Sequence, residues 1–477
     1  MNFNQMKITV IDTTWGTTDQ PNLLRIEEFS FKKQFVKKRG YKKTVHSYDN
    51  YAINADGSFL IGLLPRIKEH CSEHNIQLEI EDESENNHNP IPQGISSLFT
   101  LREDQKRLIS SALTFGRGVL QAPTGSGKTV LISATISAFP NARILFLCHT
   151  ISLLKQTQEE FNRFNLGRST IVNGINKDLN GQIIISTIQS FSKDKILNQM
   201  NDKFDIIYID ECHRVSSTTG LYAKALTKLT APIIIGVTAT LPTKKEAQLA
   251  LEGLIGPVIG HLTFAEAIDK EILAVPKIKL LPVPTCEAIH DLRLYSNTKQ
   301  KDERGNYILD ENGNHVIIRG IYDTGIVEYR KRNRIIIEAA IDQIKQGKSV
   351  LIYVVRIDHG ERLVEISERL GIEIVFVRGS TGNEYREAVR KSMDAKKTLL
   401  TCATVAWSEG INIRSLDTII IAGGGKSEKD LIQKCGRGLR RTEEKKEALI
   451  IDLLDNGKYI SQHCIERIKI YAEKGWI

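Results

Sequence analysis

The strongest constraint in this chain is a repeating pattern of short, almost unbroken Ile, Val and Leu runs separated by stretches of helical periodicity. One set occupies 118–121, 143–148, 182–186, 204–209 and 232–237. A second occupies 349–355, 372–377, 398–403, 418–421 and 448–452. A strand wet on one side alternates apolar and polar residues. A run that is apolar throughout has both faces covered, as in parallel sheets flanked by helices. Two such sets, divided by a region of different character, predict two α/β domains.

At about 150 residues per domain, 477 residues leave room for a third, smaller unit. Hydrophobic residues make up 41% and charged residues 26%, which fits globular domains and excludes a disordered or collagen-like chain. No apolar run approaches the ~20 residues of a membrane-spanning helix, so no membrane association is expected. The first twenty residues lack a basic segment followed by an apolar core, so no secretory leader is expected. The formal net charge of +8 suits a polyanionic partner, or simply solubility. The seven cysteines are scattered, and no two form a C-x-x-C pair, which argues against zinc. Cys148 and Cys402 sit inside apolar runs and read as buried, reduced thiols of a cytoplasmic protein.

Residues 1–78 predict a small α+β domain: a strand at 6–11, a turn at 55–58, and a helix at 63–74 with Leu64, Ile67 and Cys71 on one face. Between them a basic stretch runs from Lys32-Lys33 to Lys42-Lys43 and contains Phe35 and Tyr41. It is either a solvated face or a nucleic-acid contact. Residues 79–97 are acidic, then polar, then proline-bearing, the composition of a linker. The first α/β domain is expected at 98–260 and the second at 326–457, followed by a helical tail at 458–477. The connecting region 261–325 carries Asn312-Gly313 between apolar runs at 307–318, a strong hairpin signal.

Two segments carry chemistry. Ala122-Pro123-Thr124-Gly125-Ser126-Gly127-Lys128-Thr129 follows an apolar run and opens a helical stretch. It fits G-x-x-x-x-G-K-[ST] except that Ala122 replaces the first glycine. Gly125 and Gly127 let main-chain N–H groups turn towards phosphate oxygens. Lys128 would set a cation on the β and γ phosphates of ATP, and Thr129 a hydroxyl on Mg²⁺. About 80 residues on, the run at 204–209 ends in Asp210-Glu211-Cys212-His213. Acids at the end of a buried strand bring a desolvation penalty that a divalent cation offsets. Asp210 would hold Mg²⁺ opposite Thr129, and Glu211 would polarise the attacking water.

These segments, in order with Leu101-Arg102-Glu103-Asp104-Gln105, the stretch from His149 to Gln156, Ser186-Thr187-Ile188-Gln189, Thr238-Ala239-Thr240, Arg378 to Gly382, 404–412 and Gln433 to Arg441, resemble the superfamily 2 helicases and translocases. The resemblance covers about 100–441. It implies two tandem RecA-like parallel-sheet domains, and a nucleotide site built from Gln105, Pro123, Thr124, Gly125, Ser126, Gly127, Lys128 and Thr129. In that family the glutamine reads adenine, and the Thr-Ala-Thr segment couples hydrolysis to movement. Gln433, Arg437 and Arg440 fall where family members direct arginines across a cleft at the γ-phosphate. Arg437 and Arg440, three apart, are expected on one helical face. Arg441 is left for phosphate-backbone contact. Strand contacts are implied for Thr150, Thr187, Thr381 and Thr404, through hydroxyls and N–H groups that bind phosphate without reading bases. Asn412 stands where many relatives carry Asp, and Trp407 is either a base-stacking or a core residue.

The layout is further similar to the bacteriophage UvsW recombination helicases. The similarity rests on the small N-terminal domain with the segment 62–71, Arg332-Asn333-Arg334, Gly423-Gly424-Gly425-Lys426-Ser427, the closing Asp452-Leu453-Leu454-Asp455, and a short helical tail. It implies an ATP-driven, monomeric, Mg²⁺-using enzyme in the cytoplasm (the host's, if phage-encoded). The enzyme would act on branched DNA such as forks and Holliday junctions, in recombination, repair and replication. An RNA helicase of the same fold is the alternative, together with the motor of a nuclease or annealing system. Residues 1–95 contain no Asp followed by Glu-x-Lys, which disfavours a restriction nuclease module.

Overall fold

The computed structural model describes residues 5–39, 42–84, 90–174, 176, 178–200, 204–289, 320–404, 413–425, 427–457 and 459–477. The expected hairpin at 307–318, Trp407 and Asn412 lie outside the described residues. The chain forms two compact units, one of residues 1–123 with 127–263 and the other of 124–126 with 264–477.

The first unit opens with six strands: β1 (Gln5–Val10), β2 (Trp15–Thr18), β3 (Ser30–Arg39), β4 (Lys42–Tyr51), β5 (Ser58–Leu60) and β6 (Gln77–Asp82). Four of them form a sheet in the order β5-β2-β1-β6, and β3 and β4 pair only with each other as a ten-residue antiparallel ribbon. The sheet is mixed, β1 running antiparallel to β2 and parallel to β6. The helix Leu64–Glu73 lays Ile67 and Cys71 on Met6, Ile8, Phe29 and Phe59. The expected linker needs correction, because residues 79–82 belong to β6. It is an edge strand, mostly exposed, so charged residues are admissible there and hide the strand signal.

This small domain shares a core with the layer that follows it. Leu249, from the helix Lys245–Leu254, is buried in the same cluster as Met6 and Phe59. Arg66 grips Glu252 on that helix with two parallel bonds, Nε to Oε1 at 2.9 Å and Nη2 to Oε2 at 2.7 Å. Gly62 passes so close that a Cβ would stand 2.1 Å from the Glu252 carbonyl oxygen, which excludes any larger residue.

The rest of the first unit is built on a seven-stranded sheet. Its strands are β7 (Arg117–Gln121), β8 (Ile144–Cys148), β9 (Ser169–Val172), β10 (Ile183–Thr187), β11 (Ile206–Asp210), β12 (Ile233–Thr238) and β13 (Val258–His261). The order is β13-β7-β12-β11-β8-β10-β9, and every pairing is parallel. Residues of β8, β10 and β12 are buried at every position, so period-2 alternation is absent.

In the second unit, β14 (Val275–Pro282), β15 (Val350–Val354), β16 (Val375–Val377), β17 (Leu400–Thr404), β18 (Thr418–Ile421) and β19 (Glu447–Leu454) form a second parallel sheet, ordered β14-β19-β18-β15-β17-β16. β14 falls within the stretch set apart above as a connection; it is a half-exposed edge strand with lysines at 277 and 279. Two fully buried arginines tie the flanking helices to the end of β19. Arg332 donates to Asp455 at 2.6 and 3.1 Å, and Arg467 to Asp452 at 2.7 and 2.9 Å, with the Tyr471 hydroxyl on Asp452 at 2.9 Å. Their remaining donors, with Tyr322, take the carbonyls of Ala422, Gly423 and Gly425 at 2.7–2.8 Å. The glycine-rich loop that leads to the helix Glu428–Gly438 is thereby pinned. Removing one member of such a pair leaves a buried charge alone and costs about 3–5 kcal/mol. Asp452→Asn is therefore expected to shift the urea transition of the second unit by about that much; a loss below 1 kcal/mol would contradict it.

Candidate nucleotide site and strand-contact residues

β7 runs into the loop 122–127, and the helix Lys128–Ser137 starts directly after it. Gly125 and Gly127 have φ of +90° and +92°, a region that side chains disfavour. The helix therefore presents the first-turn N–H groups, which no intrahelical carbonyl takes up, and the positive end of its dipole towards the loop, an arrangement that suits phosphate. Lys128 Nζ lies 3.4 and 3.5 Å from the carbonyls of Ala122 and Pro123. The N–H of Ala122 donates to the Thr238 carbonyl at 2.9 Å, tying the loop to the end of β12.

Gln105 stands in the first turn of the helix Glu103–Phe115 and is buried. Its Oε1 accepts from the Arg102 N–H at 3.2 Å, while its Nε2 faces Gly127, 3.0 Å from where a Cβ would be. The Arg102 guanidinium is held by buried Asp104 at 3.0 Å through two donors. The glutamine is thus fixed beside the phosphate loop, with an amide donor turned towards it.

At the end of β11, Asp210 accepts from the Glu211 N–H at 3.0 Å. Burial, and then the charge of Glu211, push its carboxyl up to about 7, against the opposing pull of Lys128. Glu211 has φ of +50°, an uncommon conformation for a residue with a Cβ. Strain of this sort collects at functional sites. His213, which the sequence left without a role, stands between Glu211 and Thr238. Its Nδ1 lies 3.2 Å from Glu211 Oε2 and 2.8 Å from Thr238 Oγ1. The Thr238 hydroxyl donates to the Thr240 carbonyl at 2.9 Å, so His213 Nδ1 is the donor in the other bond. The signal was legible as the last letter of Asp-Glu-Cys-His; only the register of β11 against β12 explains it.

The donor set fits a divalent cation. Asp210 is a part-buried carboxylate whose charged form is disfavoured, and Thr129, in the first turn of the phosphate-loop helix, would add a hydroxyl oxygen. Among the strand-contact candidates, Thr150 caps the helix Ile151–Arg163 just past β8. Thr187 closes β10, but its hydroxyl is engaged by Ser190, accepting from N at 3.3 Å and donating to Oγ at 3.0 Å. Across the first sheet the order is therefore phosphate loop (β7), Thr238 (β12), Asp210 (β11), Thr150 (after β8), Thr187 (β10). All stand at the C-terminal ends of their strands.

In the second unit, Thr404 closes β17 with its hydroxyl buried and unbonded, and Thr381 follows β16 and accepts from the Arg378 N–H at 3.1 Å. The helix carrying Gln433 and Arg437 ends at Gly438, so Arg440 lies beyond it and does not share a helical face with Arg437. Two glycines in the last turn, at 436 and 438, weaken the helix there. Arg440 instead bridges Leu273, just before β14, at the N-terminal edge of the second sheet. Burial, then Arg437 and Arg414, bring its guanidinium down to about 10, and its Nε is buried without a hydrogen bond. Arg441 is paired with Glu271 at 3.0 Å.

Residues 98–243 match the family described as Type III restriction enzyme, res subunit, and residues 331–442 match the helicase conserved C-terminal domain. The chain belongs to the superfamily 2 helicases. It is 25% identical over 381 residues to a helicase of Sulfolobus islandicus filamentous virus, covering 76% of this chain and 65% of that one. It is 21% identical over 404 residues to the ATP-dependent DNA helicase uvsW of Enterobacteria phage T4, covering 78% and 74%. The fold matches that of the helicase MrfA bound to DNA, with a TM-score of 0.57 and 15% identity, over 81% of this chain and 55% of that one. The two parallel sheets are RecA-like, and a small α+β part precedes them. Among the described residues of this superfamily 2 chain, no helix is long and apolar enough to cross a membrane.

The Asp210 environment has a thermodynamic consequence. Its carboxyl rises from an ordinary 3.8 to about 7, so across that window the folded chain holds a proton that the unfolded chain has lost. Stability without nucleotide or metal therefore falls as pH rises from about 4 to about 7. Asp210→Asn is expected to flatten that decline in Tm between pH 5 and 8; parallel slopes would contradict it.

Proposed function

We propose that this chain is an ATP-dependent DNA motor that unwinds or migrates branched DNA. The observation that carries the reading is the order of groups along the C-terminal edge of the first sheet, with phosphate-binding features at one side, strand-contact threonines at the other, and the His213–Thr238 bond between. Adjacent strands are about 4.8 Å apart. A small change at Asp210 on hydrolysis thus meets Thr238 on one side and the turn before Thr150 on the other.

In this reading the N–H groups from Gly125 to Thr129 and the Lys128 ammonium bind the β and γ phosphates, and Gln105 faces the base. Glu211 orients the attacking water. Thr129 and Asp210 would hold Mg²⁺, which supplies charge neutralisation at the phosphates when bound. Gln433, Arg437 and Arg440 would stabilise charge on the transferring phosphoryl group. An arginine so used contributes about 10³–10⁵ in rate, or roughly 4–7 kcal/mol of barrier. Thr150, Thr187, Thr381 and Thr404 mark the path of a phosphate backbone.

DNA is favoured by the similarity to the phage T4 DNA helicase, and by the basic β3–β4 ribbon, where Lys38 pairs with Lys43 and Arg39 with Lys42. A two-stranded ribbon has the dimensions of the DNA major groove. Branched substrates suit an enzyme whose small domain is fused by a shared core to its first ATPase lobe, since one body then carries both a duplex contact and the strand track.

The test is a panel of four-way junctions, forks, linear duplexes and RNA duplexes with ATP and Mg²⁺, run with wild type and Lys128→Ala. Wild type is expected to act best on junctions and forks. The variant is expected to lose hydrolysis by about 10²-fold or more while keeping its DNA affinity. Preferential unwinding of RNA, or sustained turnover by the variant, would overturn the reading.

A further inference from the structure

Lys445 is buried, yet among the described residues no carboxylate lies within hydrogen-bond distance of it. Its three ammonium protons are taken by main-chain carbonyls: Leu416 at 2.8 Å, Arg414 at 3.0 Å and Gly438 at 3.1 Å. An ammonium has three donors and no acceptor, so the group is fully used. Gly438 is the last residue of the helix Glu428–Gly438, where a cation also meets the negative end of the helix dipole. Arg437 precedes it, and Arg440 follows two residues later. Arg414 and Leu416 lie on the turn that enters β18. That turn is held on its far side by Asp394, which accepts from the N–H groups of Arg414 at 2.7 Å and Ser415 at 3.3 Å. Gly438 is itself wedged, since a Cβ there would stand 2.8 Å from Ile419 Cδ1.

We propose that Lys445 is a positioning residue that fastens the turn entering β18 to the base of the arginine helix, so that nucleic-acid engagement in the second unit sets the placement of Arg437 and Arg440. The inference rests on the roles proposed above for Thr404 and the arginine pair. A single ammonium suits the task because it bonds two chain segments with donors of one rigid group. A displacement of residues 414–416 moves Gly438 with them or breaks a buried bond. Breaking it strands a carbonyl or the ammonium itself, which costs about 1–3 kcal/mol or more. That is enough to make the two segments move as one.

The surroundings give the device a pH signature. Burial brings the ammonium down to about 8. Asp417 and Asp394 act to keep the proton, and Arg440 and Lys396 act to expel it. As pH rises through that value the neutral amine retains two donors for three carbonyls, and the clasp loosens.

The test compares wild type, Lys445→Met, Lys445→Arg and Arg437→Ala, as full-length chains, by DNA-stimulated ATP hydrolysis from pH 6.5 to 9.5. Single-stranded DNA and ATP are varied separately. Lys445→Met is expected to lose about tenfold in stimulated kcat, within the range of ordinary coupling between sites, with KM for ATP little changed. Wild type is expected to lose stimulation above about pH 8, and Lys445→Arg, which stays charged, to keep it to higher pH. Coincident alkaline limbs for wild type and Lys445→Arg would overturn the proposal even if Lys445→Met does not fold, as would wild-type stimulation in Lys445→Met. Undiminished turnover in Arg437→Ala would instead remove the arginine role on which it rests.

Discussion

A carboxylate at the end of a buried parallel strand is the constraint from which the rest of the first unit follows. Asp210 is largely withdrawn from water with Glu211 beside it, and its carboxyl is pushed up to about 7. Such a group is unfavourable unless positive charge arrives. Lys128 supplies part of it from the neighbouring loop. In the proposed reading, a metal-bound triphosphate is the partner that Thr129 and the loop N–H groups would meet. The folded state is thus set up with an imbalance that nucleotide binding relieves.

The parallel sheet converts that local imbalance into a connection. Its strands all end at one edge, so groups far apart in sequence stand side by side. Asp210 and Thr238 close neighbouring strands, and His213 stands between Glu211, the residue after Asp210, and Thr238. Thr150 follows the strand on the other side of β11. The second unit is organised differently. Its candidate threonines close β17 or follow β16, while Arg440 sits at the opposite edge, before β14. What joins those two edges is the set of buried cations: Arg332 and Arg467 fix where the arginine helix begins, and Lys445 fixes where it ends.

Much of this was legible in the chain. Runs without alternation located every central strand of both sheets, because burial on both faces leaves no room for polar residues. The strand–loop–helix turn at 122–128 and the acid that ends β11 were legible as motifs, because glycine at positive φ and an acid closing an apolar run are uncommon patterns. The edges were not. β6 is acidic and exposed, β9 and β13 are four residues long, and β14 alternates with lysines, so each lacks the apolar density that marks a core strand. Spacing put Arg437 and Arg440 on one helical face, but the helix ends between them. Long-range partners were also out of reach. Nothing local to Lys445 announces that Arg414 and Gly438 meet at its ammonium, and nothing local to Arg66 announces Glu252. Such contacts are set by topology, which residue patterns constrain only loosely.

The central claim is that hydrolysis at Lys128 and Asp210 is passed to the strand-contact residues through the edge of the first sheet. The most direct measurement is the amount of ATP consumed per base pair displaced, in wild type and in Thr238→Val, which keeps the shape and removes the hydroxyl that His213 holds. The account expects hydrolysis to continue while displacement falls by about tenfold or more, so that the ratio rises steeply. An unchanged ratio, with both activities kept or both lost in proportion, would contradict it.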